Sequence, residues 1–276
     1  MERKTSSIKP KIVAIIQARR ASSRLPDKVL LDIAGKPMLA RVYERTRMAD
    51  TVGEVVIATT TNPADDAIAA LCDEQGYLCY RGSEHDVLDR YYQAACLYHA
   101  DVVVRITADC PVIDPDVIDH TVNSFLGSGN SKFTIHKSHF VIPYDFAANR
   151  FPPPWGRTYP IGLDTEVCTF QALEAAWREA DQPHQREHVM PFFYEHPDRF
   201  RILHIKHDPD FGSLRWTVDT ASDLELIRQI FAHFPDRDDF SWLEIIKLFE
   251  MHPELTRINA QVQHKHYKEV DTRTEL

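Results

Sequence analysis

The chain has 276 residues, of which 43% are hydrophobic and 26% are charged, and its formal net charge is −9 at pH 7. This composition is typical of a globular protein and argues against a wholly disordered chain. The acidic balance argues against a nucleic-acid partner, because contacts with phosphate backbones need a surplus of positive charge. The length predicts one large α/β domain or about two smaller domains.

The sequence shows no pattern typical of a membrane-spanning segment or a signal peptide. No apolar run approaches the roughly 20 residues that span a bilayer, and the first residues lack the apolar core of a signal peptide. The 5 cysteines are scattered along the chain. Their odd number and their spacing indicate neither a disulfide framework nor a zinc site. We therefore expect a soluble cytoplasmic protein with no membrane partner.

Four times in the first half, a run typical of a buried strand is followed by a segment whose apolar residues have helical spacing. The four runs are Lys11–Ile16, Glu54–Thr59, Leu78–Tyr80 and Asp101–Thr107. Asn62 and Asp114 each precede a proline, which is the pattern of a helix cap followed by the first helical residue. The alternation predicts a Rossmann-like three-layer α/β/α fold with a mostly parallel mixed sheet, whose ligands bind at the carboxyl edge.

The second half has less regular patterns. Strands are predicted at residues 132–136, Leu163–Phe170, Phe200–Ile205 and Arg215–Asp219, and helices from Gln171, over Arg186–Glu195, over Thr220–His233 and around Trp242. The segment Phe151–Gly156 predicts a rigid, extended loop, because its consecutive prolines disfavour both helix and sheet. We expect a single domain over residues 1–250, with an insertion at about 130–170 for substrate binding or dimerisation, and a C-terminal helix or tail over 251–276.

A cluster of polar side chains directly follows the first predicted strand. The segment Gln17–Lys28, called the basic loop below, contains Arg19, Arg20, Ser22, Ser23, Arg24 and Lys28. Arginine offers a planar fork of donors and lysine a movable point charge, so this set suits the oxygens of a triphosphate. Glycine is sparse, at 9 residues, and the loop matches neither the Walker nor the dinucleotide-binding pattern. The alternative is a solvated surface loop with incidental charge.

Two aspartates lie at the ends of predicted strands that are far apart in the chain. If both strands belong to one sheet, the carboxylates of Asp109 and Asp219 converge at its carboxyl edge. Mg²⁺ commonly takes one or two carboxylates together with phosphate and water oxygens, so this pair predicts a magnesium site. For Asp219 there is an alternative, because an Asp-Thr pair before an amphipathic run is also the pattern of a helix N-terminus.

The segment Ile16–Leu30, followed by Ala34–Met38, resembles the nucleotide-binding segment of the CMP-sugar synthetases. This family includes the 3-deoxy-manno-octulosonate and acylneuraminate cytidylyltransferases, and the branch most similar to this chain is that of spore-coat polysaccharide biosynthesis protein F. Four further stretches carry the resemblance: Arg81–Glu84, Arg105–Pro111, Gly162–Glu166 and Arg215–Thr220. Together the matching stretches extend from about Ile12 to the helix after Trp242.

The resemblance implies a cytidylyltransferase, usually dimeric, that transfers CMP from CTP to a sugar acid or related acceptor and releases pyrophosphate, for surface glycan biosynthesis. The nucleotide-binding residues are then Ala18, Arg19, Ser22, Arg24, Lys28 and Arg81. Arg19, Lys28 and Asp109 would be catalytic, and Asp109 and Asp219 would bind Mg²⁺. The family pattern has glycine where this chain has Asp27, which adds a negative charge beside the expected phosphates.

The acceptor side of the site is predicted from residues outside the basic loop. These candidates are Arg105, Asp164, Glu166, Glu187 and His188. Asp164 and Glu166 are two apart on a predicted strand and would face the same side, where they suit sugar hydroxyls. For Arg81 and Arg105 the alternative is an ion pair at the sheet edge. For Glu187 the alternative is a structural role, because the start of a helix equally favours glutamate.

Two other classes of protein remain open from the sequence. A glycosyltransferase with a similar α/β core binds its metal through an Asp-x-Asp motif, and such triplets begin at Asp114 and Asp208. Asp114 is better explained as a helix cap, and no basic cluster accompanies Asp208. A nucleotide-binding regulatory protein would keep the basic loop and could lack the metal-binding pair.

Overall fold

The computed structural model describes residues 9–128, 142–263 and 268–269. The strands are β1 (Ile12–Gln17), β2 (Asp32–Ile33), β3 (Lys36–Pro37), β4 (Glu54–Thr60), β5 (Leu78–Gly82), β6 (Val102–Thr107), β7 (Phe146–Ala148), β8 (Glu166–Thr169) and β9 (Ile202–His204). The α-helices are α1 (Met38–Arg47), α2 (Asp66–Gln75), α3 (Val87–Leu97), α4 (Pro115–Phe125), α5 (Phe170–Glu179), α6 (Pro183–His188), α7 (Pro191–Glu195), α8 (Ala221–His233) and α9 (Trp242–Met251). Short 3-10 helices occupy Lys28–Leu30, Pro63–Asp65 and Pro253–Arg257. The strand predicted at 132–136 lies outside the described residues.

Seven strands form one mixed sheet in the order β5-β4-β1-β6-β8-β7-β9, and β2 pairs separately with β3. β5, β4, β1 and β6 are parallel, β8 is antiparallel to both of its neighbours, and β9 is parallel to β7. The sheet confirms the predicted Rossmann-like α/β fold. Gln17 at the end of β1 pairs with Thr107 at the end of β6, so the basic loop and Asp109 begin side by side.

Alternate residues of β1 belong to two different cores, because successive side chains of a strand point to opposite faces. Ala14 and Ile16 pack in a cluster with α1, α4, α8 and α9. Val13 and Ile15 pack on the other face with α3 and α5. Helices therefore cover both faces of the sheet. Because both faces of these strands are buried, their sequences are nearly continuous apolar runs.

The predicted helix caps before two prolines are confirmed. The Asn62 side chain accepts from the backbone N–H of Ala64, and that of Asp114 accepts from Asp116 and Val117. Asn62 begins a 3-10 turn that leads into α2 rather than the α-helix itself. Among the described residues, no helix combines the length and the apolar character needed to cross a bilayer.

Two predictions for the second half are wrong. The helix predicted over Arg186–Glu195 is two helices, α6 and α7, separated at Val189, whose φ is 69°. The segment Arg215–Asp219 is not a strand of the sheet. Its one β-type contact among the described residues is a parallel bridge between Arg215 and Ile161. The other backbone partners of this segment lie in irregular segments. Elsewhere the predicted Leu163–Phe170 and Phe200–Ile205 strands shorten to β8 and β9.

The backbone of Gly162 allows this segment to approach. Gly162 has a φ of 109°, and a Cβ there would lie 2.7 Å from the backbone N of Thr217 and the backbone C of Trp216. The N–H of Trp216 donates to the carbonyl of Ile161 at 2.6 Å. The chain before Asp219 thus packs closely against the segment that leads into β8.

Candidate active site

A cleft of about 760 Å³ opens at the carboxyl edge of β1 and β6. The predicted site residues that line it are Ala18, Arg19, Ser22, Arg24, Lys28, Arg105, Asp109, Asp164, Glu187, His188 and Asp219. Two predicted residues, Arg81 and Glu166, are not part of its lining. The structure therefore brings most of the predicted nucleotide-binding, metal-binding and acceptor residues to one concave surface.

Lys28 joins the basic loop to both predicted metal-binding aspartates. Its Nζ lies 2.8 Å from Asp109 Oδ2 and 2.9 Å from Asp219 Oδ1, and it donates to the carbonyl of Val218 at 2.9 Å. Burial alone would lower the pKa of Lys28, but the two carboxylates raise it above its ordinary value. Lys28 is therefore a charged ammonium held between two anions.

Asp109 and Asp219 meet because the loops that carry them are hydrogen-bonded to each other. The N–H of Val218 donates to the carbonyl of Asp109 at 2.8 Å, and the Thr217 hydroxyl donates to the same oxygen at 3.0 Å. Asp109 lies two residues beyond the end of β6, so its position is set by the sheet. The convergence expected from two strands of one sheet is thus produced by one strand and one docked irregular segment.

The N-terminus of α8 is capped by residues other than Asp219. Thr220 and Asp223 form a capping box, in which each side chain accepts from the backbone of the other. The Asp219 carboxylate instead contacts Arg24 at 2.9 Å and Arg215 at 2.7 Å, in addition to Lys28. Burial alone would raise the pKa of Asp219, but these cations hold it well below its ordinary value.

Arg215 is a buried support of this cluster that sequence reasoning missed. Its Nε contacts Asp223 Oδ1 at 3.0 Å while an Nη contacts Asp219. Asn259, beyond α9, donates to the carbonyl of Arg215 and to Asp223 at 3.0 and 2.8 Å. Arg215 begins one of the stretches that carry the resemblance, but neither that stretch nor the spacing of Arg215, Asp219 and Asp223 indicates that one guanidinium connects both carboxylates.

The partners of Arg81 lie away from the cleft, whereas Glu166 is paired with an arginine that lines it. Arg81 donates to the carbonyls of Thr60 and Asn62 and pairs with Asp66 at 2.7 Å, so it connects β5 to the start of α2. Glu166 is only 2% exposed and forms a close ion pair with Arg105. Burial alone would lower the pKa of Arg105, but Glu166 raises it.

Three arginines, Arg105, Arg150 and Arg157, line the part of the cleft called the arginine end below. Arg105 donates to Gln17 at 3.2 Å, while Arg150 and Arg157 flank the proline-rich loop and bridge to each other through their backbones. Arg157 pairs with Asp164 at 2.7 Å. Arg150 lies 3.5 Å from Asp164, and its buried Nε has no hydrogen-bond partner among the described residues. Sequence reasoning missed Arg150 and Arg157, although both flank the proline run.

Glu187 and His188 form a side wall of the cleft. An Nη of Arg19 lies 3.9 Å from Glu187 Oε1, and His188 Nε2 lies 3.0 Å from the carbonyl of Glu269. Burial, with the charges of Arg105 and Arg150, lowers the pKa of His188 to about 4. His188 is therefore a neutral imidazole at pH 7.

The carboxylate oxygens around Lys28 suit a hard divalent cation whose remaining ligands are phosphate and water oxygens. No group of three or more His, Cys, Asp or Glu side chains suited to a metal occurs within the ranges that the structure describes. Asp109 and Asp219, however, already place their oxygens around one cation, the Lys28 ammonium. Mg²⁺ needs only one or two carboxylates when phosphate and water oxygens complete its octahedron.

The two Asp-x-Asp triplets do not provide such a site. Asp114 is buried as the cap of α4, and it also accepts from the N–H of Trp242 at 2.7 Å. Asp210 accepts from the N–H of Gly212 at 2.7 Å within its own loop. None of the four carboxylates lines the cleft, so the geometry does not support a glycosyltransferase that binds its metal through either triplet.

Comparison with known proteins identifies what this chain is similar to. A family model described as cytidylyltransferase matches residues 13–261. The spore coat polysaccharide biosynthesis protein SpsF of Bacillus subtilis is 30% identical over 249 residues, which cover 88% of this chain and 95% of that protein. A 3-deoxy-manno-octulosonate cytidylyltransferase of Trichlorobacter lovleyi is 37% identical over 136 residues, or 49% of this chain and 53% of that protein. The solved structure of a cytidylyltransferase from Leptospira borgpetersenii has a TM-score of 0.80 and 29% identity, and the match covers 94% of this chain and 100% of that one.

Proposed function

Because the chain belongs to the cytidylyltransferase family, we propose that it transfers CMP from CTP to a sugar acid in a magnesium-dependent reaction that releases pyrophosphate. The observation that carries this proposal is the position of Lys28, which connects the basic loop to Asp109 and Asp219 in one cleft. Phosphoryl transfer depends chiefly on positioning and on neutralising charge at the phosphate oxygens. The cleft combines cations for the triphosphate with carboxylates for a divalent metal.

The basic loop would hold the triphosphate through its cations. Arg19 and Arg24 are partly exposed to the cleft, with 22% and 30% of their side-chain surfaces accessible, so both can reach phosphate oxygens. Together with Lys28 they would stabilise the charge that develops on pyrophosphate as it leaves. Ser22, which also lines the cleft, would add a neutral hydrogen-bond donor.

Asp109 and Asp219 would hold Mg²⁺ on the side of the cleft nearest the α-phosphate. When bound there, the ion would supply charge neutralisation at that phosphate and would lower the pKa of the attacking hydroxyl. Arg215 would keep the Asp219 carboxylate in place, because it is buried and fixed by Asp223. The acceptor hydroxyl would then attack the α-phosphorus in line with the departing pyrophosphate.

The arginine end of the cleft supports an anionic acceptor. Arg105, Arg150 and Arg157 lie there, and within the described ranges they are paired with the carboxylates of Asp164 and Glu166. One similar protein is named as a cytidylyltransferase of 3-deoxy-manno-octulosonate, which is a sugar acid. The name of another refers to spore coat polysaccharide, and it supports a role in making activated sugars for a surface glycan.

The proposal is tested by a pyrophosphate-release assay with each of the four nucleoside triphosphates, Mg²⁺ and a panel of sugar acids. We expect release with CTP and an acidic acceptor, and a rate at least about 100-fold lower for Asp109→Asn, which removes a metal ligand and keeps the side-chain shape. Asp116→Asn, on the exposed start of α4, is the matched control and should retain full activity. Consumption of a preformed nucleotide sugar, or no release with CTP and any acceptor, would contradict the proposal.

A further inference from the structure

The ammonium of Lys28 occupies the place between the two carboxylates where a shared metal ion would bind. Three oxygens surround it, from Asp109, Asp219 and Val218, at 2.8, 2.9 and 2.9 Å. The side chain is only 12% exposed, so the ammonium has exchanged most of its hydration for these oxygens. A metal that binds the same carboxylates at about 2.0–2.1 Å cannot share this space with the ammonium.

The charges around Lys28 are balanced without any added ion. The cations are Lys28, Arg24 and Arg215, and the anions are Asp109, Asp219 and Asp223. Asp109 differs from Asp219 in this cluster, because Lys28 is its ion-pair partner while Asp219 also contacts two arginines. Removing Lys28 would therefore leave Asp109 as a carboxylate whose charge is no longer compensated within the cluster.

We propose that Lys28 is a resident cation which a divalent metal must displace, and that its ammonium then moves to the triphosphate, so that metal and nucleotide bind together. This inference rests on the metal site of the proposed function. A metal that arrived alone would force the ammonium towards Arg19 and Arg24 on the same loop, where like charges repel it. A triphosphate that arrives with the metal gives the released ammonium a new anionic partner.

The exchange makes the two ligands mutually dependent. Each ligand favours the arrangement in which Lys28 has left the carboxylates, so each must increase the affinity of the other by the same factor. The same exchange gives Lys28 a role before the nucleotide arrives, because it prevents a divalent cation from occupying the cleft alone.

The test is isothermal titration calorimetry with MnCl₂ alone, without nucleotide, on the whole protein. We expect Lys28→Met to bind Mn²⁺ at least about tenfold more tightly than the wild type, in the usual range of coupling between sites. The double variant Lys28→Met with Asp109→Asn should return to the wild-type affinity, which locates the gain at Asp109. Lys11→Met is the control for lost charge, because Lys11 pairs with Glu54 at 3.0 Å just before β1 and away from the cleft. We expect it to match the wild type.

Equal Mn²⁺ affinity of Lys28→Met and the wild type would overturn the exchange, and so would an equal gain in Lys11→Met. Lys28→Gln is measured in parallel, with thermal unfolding as the check on folding, so that a misfolded methionine variant does not decide the outcome. Failure of the exchange is distinct from failure of the proposed function. If the wild type releases pyrophosphate from CTP, the proposed function is supported regardless of the measured Mn²⁺ affinities. If Lys28→Met binds Mn²⁺ more tightly than the wild type, the exchange is supported even if no acceptor is found.

Discussion

Arg20 and Asp27 close the basic loop on itself through two hydrogen bonds. The N–H of Asp27 donates to the carbonyl of Arg20 at 3.1 Å, and Arg20 Nε donates to Asp27 Oδ1 at 2.8 Å. Asp27 has a φ of 57°, in the left-handed region that glycine enters most easily. Neither side chain lines the cleft. Asp27 therefore has a backbone conformation that suits the glycine implied by the resemblance, and it directs its charge to Arg20.

The first prediction concerns this departure from the family pattern. Asp27→Gly should leave the KM for CTP within about twofold of the wild type, because it relieves a left-handed aspartate and loses only an exposed ion pair. Arg20→Ala should raise the KM for CTP more strongly, because Arg20 also donates to the carbonyl of Ala64 at 2.8 Å and connects the loop to the 3-10 helix that precedes α2. Steady-state kinetics at varied CTP measures both. A large loss of CTP affinity in Asp27→Gly alone would show that the carboxylate acts inside the cleft.

The second prediction concerns the close approach at Gly162. Gly162→Ala should push the backbone of Thr217 away, displace Asp219, and lower both kcat and the free energy of unfolding, the latter by about 1–3 kcal/mol. Gly76→Ala is the matched control, because Gly76 also has a positive φ, of 68°, but a Cβ there meets nothing within 4 Å. It should lower the stability by about 1 kcal/mol and leave kcat unchanged. Chemical denaturation and kinetics of both variants measure the difference. Equal kcat values for the two variants would contradict the positioning role of Gly162.

The third prediction concerns Arg150 at the arginine end of the cleft. Arg150→Gln should raise the KM for the acidic acceptor by about tenfold or more, because a guanidinium contact with a carboxylate is lost, and should leave the KM for CTP unchanged. Arg201→Gln is the control, because Arg201 pairs with Asp145 at 2.8 Å on the exposed surface. Initial rates at varied acceptor and varied CTP separate the two constants. An increase confined to CTP would place Arg150 on the nucleotide side instead.

The fourth prediction concerns the half-buried imidazole of His188, whose pKa is lowered from 6.5 to about 4. The unfolded chain then binds more protons than the folded chain between these two pH values, so stability should fall as the pH is lowered from about 6.5 to 4. His188→Gln should flatten this part of the stability curve, whereas His120→Gln, on exposed surface of α4, should not. Urea denaturation from pH 4 to 7 measures the slopes. A wild-type slope that His188→Gln leaves unchanged would show that other groups cause it.

The sequence was sufficient for the parallel half of the sheet, since β1, β4 and β6 are buried on both faces and their apolar runs have no competing helical period. It also located the basic loop and Asp109, because both directly follow strands. Asp219 was placed correctly in the cleft for an incorrect reason. It was expected to end a strand, whereas hydrogen bonds between two loops bring it to Asp109.

Long-range contacts explain the remaining differences. Arg81 lies on β5, which ends at the same edge of the sheet as β1 and β6, but its side chain pairs with Asp66 on α2. No local sequence pattern predicts this ion pair. Arg150 lies in no recognised motif, and the matching stretch Arg215–Thr220 gives no indication of what the Arg215 side chain contacts. Their positions depend on contacts between irregular segments, in which Arg150 bridges to Arg157 across the proline-rich loop and Arg215 bridges to Ile161.

The central claim is that the basic loop and the two aspartates form a single site for a nucleotide and its metal. A crystal structure with a non-reactive CTP analogue and Mn²⁺ tests it most directly, because anomalous scattering locates the metal independently of the nucleotide. We predict one anomalous peak coordinated by both Asp109 and Asp219, with the triphosphate against Arg19, Arg24 and Lys28. A peak that contacts neither aspartate, or a triphosphate bound away from the basic loop, would contradict the account.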